Sequence, residues 1–421
     1  MCVFWLSHLR DCPARRELGL AGCRSARYGA SVFCSVVLLS GRGHGQEAKA
    51  VASVAVEEPS VASTLSARVV NRLVMDDFMD VAAVQEGSRV SIRFQNTRYR
   101  DRRRALDVAA ALAQAELGAE HELVLVPTQA GIPLLTAIYA PAVPAENGRR
   151  PLYRISMRTA GFPPEPTTRS PHGRLDVVIH PWFEGKFSNT DPVASRTGIA
   201  PELRMSLRTG LTVSAQALFT LHDDIPTGES RVRPGLLTLN QRLRLWDVIW
   251  VSATAGTFNP DRYGIDVEAR VYSPGGGLSA GAEVALTGAA SYGARDWYFA
   301  SMKDPMALAD VAWRELAHGL TVRMTGGWFA PAQPALRLDV SRQWGTTEVG
   351  FFAVQGETEA NFGFRLIVPL VGAHYGRLTR FRARSAETFP WEYRYHTRSV
   401  GGRMFRMGNT IDDEVRQWMA Q

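Results

Sequence analysis

Asp266, Glu268 and Arg270 stand two residues apart in the run Tyr263-Gly-Ile-Asp-Val-Glu-Ala-Arg-Val-Tyr272. Strand side chains alternate sides, so this spacing puts all three on one face. Tyr263, Ile265, Val267, Ala269 and Val271 take the other face. Ser-Pro-Gly-Gly-Gly follows, and then a second arm in which Leu278, Ala280, Ala282, Val284 and Leu286 oppose Ser279, Gly281, Glu283 and Thr287. A glycine-rich link between two alternating runs signals a hairpin. Charges of both signs in one row can line a wet space or lock together in a closing network. The wholly apolar face behind them packs in a protein core or faces lipid.

Catalytic chemistry finds few carriers elsewhere. His222-Asp223-Asp224 has metal-ligating types, but it falls between strands, where polar turns belong. Gly275-Gly276-Gly277 is a turn, and no Gly-x-Ser-x-Gly or phosphate-binding glycine loop occurs. Spelling alone does not exclude a Ser/His/Asp triad, whose members are distant in sequence. Cys2, Cys12, Cys23 and Cys34 are the only cysteines, so a chain cut after residue 50 has no thiolate to offer. Arg98, Arg100, Arg102, Arg103 and Arg104, with Tyr99 among them, could meet an anionic polymer or phosphate. A solvated helix start is the plainer reading. The sequence thus predicts no catalytic, cofactor-binding or metal residues, and a protein that is not an enzyme.

The 421 residues allow a sizeable core and more than one domain. No apolar run is long enough for a helical membrane span, a test that overlooks strands. The net charge of +7 is shared with the N-terminus, where seven basic and three acidic groups fall in residues 1–50. The 41 basic and 38 acidic groups beyond it describe a solvated surface, not a nucleic-acid footprint.

Arg24 and Arg27, the apolar stretch Ala30 to Leu39 and Ala48-Lys49-Ala50 resemble a signal peptide with its cleavage site, placed after an N-terminal extension. Leu20-Ala-Gly-Cys23 spells a lipoprotein box but lacks a preceding apolar run. Residues 1–50 are therefore expected to be extension and signal, and 51–65 a linker. A small α/β module is predicted for 66–140. Its helix is capped by Ser66, strand 89–95 follows, then a helix over 102–117 between the Asp101 cap and the Gly118 stop, and a strand over 121–126. Prolines crowd 141–173, marking a second linker. Alternating strands then fill 174–400, and 401–421 is left as a C-terminal tail.

Strands of about 8–11 residues with short turns suit a transmembrane barrel of about 12–14 strands. A soluble β-sandwich also alternates. Small residues on the apolar faces, such as Ala215, Ala253 and Ala280, fill a dry core poorly. The other face would present Asp266, Glu268, Arg270, Glu283, Arg323, Asp339 and Arg365 to a lumen. Aromatics gather near strand ends. Tyr263, Tyr272, Trp297, Trp328 and Trp344 are the expected interface anchors, joined by Trp246, Trp250, Phe258, Tyr298 and Phe329.

Several stretches resemble the YjbH-type outer-membrane proteins of exopolysaccharide and capsule secretion. They are Val232 to Gln241, Ser252 to Phe258, Arg262 to Glu268, Gly326-Gly-Trp-Phe329, Asn361 to Leu370, and Gln95 to Arg100 ahead of the alanine-rich helix. The resemblance runs from about Leu73 to about Tyr395. Longer members carry a further barrel-like portion, and this chain has room for one barrel. The resemblance implies an outer-membrane β-barrel with a periplasmic α/β module, reached through a signal peptide. It would act in polysaccharide export or surface assembly, as conduit or assembly partner. Its expected partners are outer-membrane lipid, exopolysaccharide and other secretion-system proteins, with no nucleic acid. A secreted or periplasmic glycan-binding sandwich and a general small-solute porin are the alternatives.

Overall fold

The computed structural model describes residues 61–118, 120–139, 153–159, 169–186, 194–225, 230–259, 261–293, 295–330, 332–357, 359–394 and 410–419. The expected signal segment and cleavage site lie outside these residues, as does much of the Pro-rich stretch between 140 and 168. The described part is mainly β.

The α/β unit begins with α1 (Val61–Met75) and the hairpin β1 (Met79–Glu86) and β2 (Arg89–Gln95). Gly87 makes the tight turn of that hairpin at φ +62°. Next come α2 (Arg102–Leu117), β3 (Glu122–Gln129), the short β4 (Ile132–Pro133), β5 (Thr136–Tyr139) and β6 (Tyr153–Ser156). The sheet order is β1-β2-β3-β5-β6, with β2 and β3 parallel across the α2 crossover. Asp101 caps α2 as the sequence predicts, accepting from the amides of Arg103 and Arg104, and Gly118 ends it at φ +81°.

Ser66 does not cap α1 but lies inside it. Val69 and Leu73 are fully buried one turn apart. Their burial contributes about 1.5–3 kcal/mol each, more than the ~0.7 kcal/mol or less that a mid-helix serine costs. The expected linkers are likewise shortened, since α1 starts within 51–65 and β6 lies within 141–173.

The large sheet has fifteen strands. They are β7 (Leu175–Lys186), β8 (Ala194–Arg208), β9 (Leu211–Asp223), β10 (Val232–Leu245), β11 (Ile249–Phe258), β12 (Arg262–Tyr272), β13 (Leu278–Tyr292), β14 (Trp297–Phe299), β15 (Asp304–Glu315), β16 (Leu320–Phe329), β17 (Gln333–Trp344), β18 (Thr347–Gly356), β19 (Ala360–Pro369), β20 (Phe381–Ser385) and β21 (Thr388–Arg394). From β7 to β19 neighbours in sequence pair antiparallel, apart from β14, a side strand on β13. β20 pairs in parallel with β7, and β21 pairs with β19. Two strands adjacent in sequence thus lie at opposite ends of the strand order, with only Ala386 and Glu387 between them. Phe183 of β7 and Trp391 of β21 also meet, ring centroids 6.4 Å apart.

Along β12 the usual burial pattern is inverted. Asp266, Glu268 and Arg270 are buried, while Ile265, Val267 and Val271 are exposed. Leu278, Val284 and Leu286 of β13, Val311 of β15, Met324 of β16 and Leu336 and Leu338 of β17 are also exposed. The main apolar cluster lies instead in the α/β unit and in the turns that meet it.

Alternate turns of the large sheet dock on that unit. Gly210 in the β8–β9 turn donates its amide to Ala130 O at 2.8 Å, and Met157 donates its amide to Pro274 O in the β12–β13 turn at 2.8 Å. Trp250 Nε1 donates to Pro133 O at 3.3 Å. In the stretch between β19 and β20, the Tyr375 amide donates to Arg98 O at 2.8 Å. Gly276 sits at φ +77°, where an added Cβ would come 2.7 Å from Met419 Sδ. The glycine run predicted as a turn is therefore also where the chain's last helix packs.

Candidate functional site: the charged face and the helix it encloses

The C-terminal stretch holds α3 (Ile411–Met419). Thr410 opens it with a reciprocal cap: the Asp413 amide donates to Thr410 Oγ1 at 3.2 Å, and the Thr410 amide to Asp413 Oδ2 at 3.4 Å. Ile411, Val415, Trp418 and Met419 recur at helical spacing and join the core of the α/β unit. Trp418 meets Phe94 edge to face at 6.2 Å, and the Arg102 guanidinium lies 5.7 Å from its ring centre.

The opposite side of α3 is tied to the charged face. Asp412 pairs with Arg314 of β15 at 2.5 Å and with Arg323 of β16, and it accepts from the Tyr272 hydroxyl at 3.0 Å. Glu414 pairs with Arg242 of β10. Arg416 reaches Glu348 of β18 at 2.7 Å, and Arg365 of β19 holds the same glutamate at 2.6 Å. Glu268 Oε2 accepts from the Ile411 amide at 3.2 Å, an anion at a helix N-terminus. From β10 to β18 a flat sheet would extend ~34 Å at ~4.8 Å per step. A nine-residue helix is ~13 Å long and ~10–12 Å wide. Since α3 contacts both limits of that span, the sheet curls around it.

Burial alone would raise the Asp412 carboxyl, but the guanidiniums of Arg323, Arg314, Arg270 and Arg416 outweigh it and hold the group well below the usual carboxylate range. Tyr375 shows the opposite balance: burial and the Glu387 carboxylate raise its phenol above the ordinary value.

Two of the polar cavities that α3 borders open on the charged face. The larger, about 280 Å³, is lined by Thr410, Glu414 and Gln417 of the chain end, by β7–β12, β20 and β21, and by the Gln95–Tyr99 segment. The smaller, about 140 Å³, includes Thr410, Asp413 and Arg416.

Six of the seven residues expected on the lumen side, Glu268, Arg270, Glu283, Arg323, Asp339 and Arg365, line the smaller cavity. Asp266 and Glu268 line the larger one. Arg270 grips Asp310 through two bonds of 2.6 and 3.0 Å, and Arg337 grips Asp339 through two of 2.7 and 2.8 Å. These groups are locked to one another.

The aromatics divide. Trp297, Trp328 and Trp344 are exposed on the apolar side. Tyr263 is half-buried, its hydroxyl donating to Ala300 O at 2.5 Å and its ring edge-on to Phe299 at 5.4 Å. Tyr272 corrects its expected anchoring role. It lies an even number of residues from Asp266, so it shares the charged face, where it meets Asp412 and the Trp250 ring at 5.1 Å. Trp250, Phe258 and Phe329 are buried for the same kind of reason.

Most of the arginine cluster is used internally. Arg98 pairs with Asp76 at 2.9 Å, Arg100 donates to Leu370 O, and the Arg103 guanidinium lies 5.8 Å from the Tyr153 ring centre. His222 and Asp224 pair with each other at 2.7 Å on the surface. Among the described residues no group of three or more His, Cys, Asp or Glu side chains is placed to hold a metal.

Sequence reasoning overlooked α3, although its signals were present. Thr410-Ile-Asp-Asp413 spells the cap, and the apolar residues at 411, 415, 418 and 419 spell the buried stripe. Nine residues are too few to form a stable helix unaided, so only the enclosing charges reveal what it does. Models of known protein families, curated proteins and solved structures offer no match to the chain.

Proposed function

We propose that the chain is an outer-membrane β-barrel protein taking part in exopolysaccharide or capsule export or surface assembly, as conduit or assembly partner. The observation that carries the membrane half is the inverted burial of the large sheet: exposed apolar side chains on one face, paired charges on the other. In water such a surface is costly, whereas lipid covers it without loss. Trp328 is paired in register with Pro334, and Trp344 lies ten residues further along the same strand. At ~3.4 Å per residue and a tilt of ~35–45°, the tryptophans stand ~24–28 Å apart along the membrane normal, close to the ~25 Å apolar band of such barrels.

Closure of the wall is supported by the link between β20 and β21. Ser385 pairs with Ile179 of β7, and Thr388 pairs with Pro369 of β19. Three residue steps span at most ~11 Å, a reach that favours the two ends of the strand order meeting. The α/β unit sits on the side with the two-residue turns after β8 and β17, which we assign to the periplasm.

The polysaccharide half rests on the resemblance to YjbH-type proteins and on the polar interior. A sandwich would hide its apolar faces against each other, and an always-open porin would not seat a charged helix in its lumen. Outer-membrane lipid, the polymer and other secretion proteins are the partners in this reading. Envelope fractionation with heated and unheated gel samples tests it. Outer-membrane partition and heat-dependent migration are expected; an aqueous protein whose mobility ignores heating would refute it.

A further inference from the structure

We infer that the larger cavity is a binding site for an uncharged, hydroxyl-bearing glycan segment, seated where the α/β unit, the charged face and α3 meet. The inference deepens the polysaccharide reading and rests on it. At about 280 Å³ the cavity is near the lower limit of ligand pockets, ~300 Å³.

Most of its charged groups are engaged with one another. Glu202 holds His180 at 2.8 Å and Arg204 at 2.7 Å. Asp176 holds Arg382 at 2.7 Å and Arg384 at 2.8 Å. Glu414 holds Arg242. Three neutral buried atoms of the lining, Gln95 Oε1, Asn240 Oδ1 and the Tyr375 hydroxyl, have no hydrogen-bond partner among the described residues. Gln95 is only 8% exposed, yet it borders the cavity. Asn240 commits its amide nitrogen to Ser252 Oγ and Thr254 Oγ1, both at 2.8 Å, which leaves its oxygen as an acceptor.

Two unmatched acceptors call for a donor. Sugar hydroxyls supply donors, whereas carboxylates and sulfates only accept. Leaving a buried acceptor unmatched costs about 1–3 kcal/mol. The six arginines of the lining are matched in number by six carboxylates, which leaves no net excess of cation to draw in a polyanion.

The full-length protein in detergent would be titrated with neutral pentasaccharides built on glucose, mannose, galactose and N-acetylglucosamine, and with uronic-acid oligomers of equal length. Binding is expected within the neutral set. Gln95→Leu and Tyr375→Phe should each weaken Kd about fivefold, the loss of one hydrogen bond. Tyr375→Phe removes a single oxygen, so its unheated gel migration should match the parent and separate lost binding from lost folding. Binding confined to the acidic oligomers, binding to neither set, or an unchanged Kd in both variants would overturn the inference. Heat-dependent migration without neutral-glycan binding would remove the site and leave the barrel standing. An aqueous protein that binds neutral glycan through Gln95 would do the reverse.

Discussion

Asp412 and Arg314 face each other at 2.5 Å with side chains 1% and 2% exposed, one from the last helix and the other from the middle of the strand wall. Losing one partner of a buried pair leaves an uncompensated charge. Asp412→Asn strands Arg314, while Arg323 keeps Asp310 at 3.8 Å. The expected loss is about 3 kcal/mol, read as a lower temperature for the switch between unheated and heated gel forms.

Acid should act on the same contact. The folded Asp412 carboxyl titrates well below its ordinary value of 3.8, so the fold favours the ionised form. Its stabilising contribution is complete above 3.8 and is lost as pH falls below that value towards the folded one. Protease access to α3 should therefore stay constant from neutral pH down to about 4 and rise only below it. A rise already at pH 6 would contradict this sign.

The two faces of β13 should respond oppositely to charge. Val284 is 55% exposed on the apolar side, and its neighbour Glu283 lines the smaller cavity. If the wall spans the membrane as proposed, Val284→Arg places a cation against lipid at a cost of about 2–4 kcal/mol near the midplane. Glu283→Gln should cost under about 1 kcal/mol, since the half-buried residue stays in a polar space. Yield of folded, membrane-inserted protein measures both, and equal losses would remove the lipid-facing assignment.

Trp418 ties α3 to the α/β unit. Trp418→Ala should destabilise that docking by about 3–5 kcal/mol, seen as faster amide exchange in β2, whose Phe94 meets the indole. Exchange along β13 and β15 should be unaffected. Slow, unchanged exchange in β2 would mean that the unit holds without the helix.

Removing residues 410–421 takes α3, which borders both cavities, out of the charged face. Planar-bilayer conductance should then rise severalfold over the full chain, most at low salt, where Asp310, Arg270 and Glu348 are least screened. Identical conductance would show that α3 does not obstruct a passage.

Much of this molecule can be read from residue types alone. Period-two alternation needs only neighbouring residues, so Asp266, Glu268 and Arg270 on one face and Ile265, Val267 and Val271 on the other follow from strand geometry. Local capping chemistry likewise placed Asp101 and Gly118 at the two ends of α2. Alternation cannot say which face is inward, because a period of two is symmetric between them. That depended on the path of the sheet, whose far strands β20 and β21 are joined by two residues. Tyr272 was misjudged for the same reason: its type suits an interface, but its parity puts it beside Asp412. The 401–421 stretch was the largest loss. A nine-residue helix owes its stability to partners as distant as Arg242 and Phe94, and such separations leave no trace in local sequence.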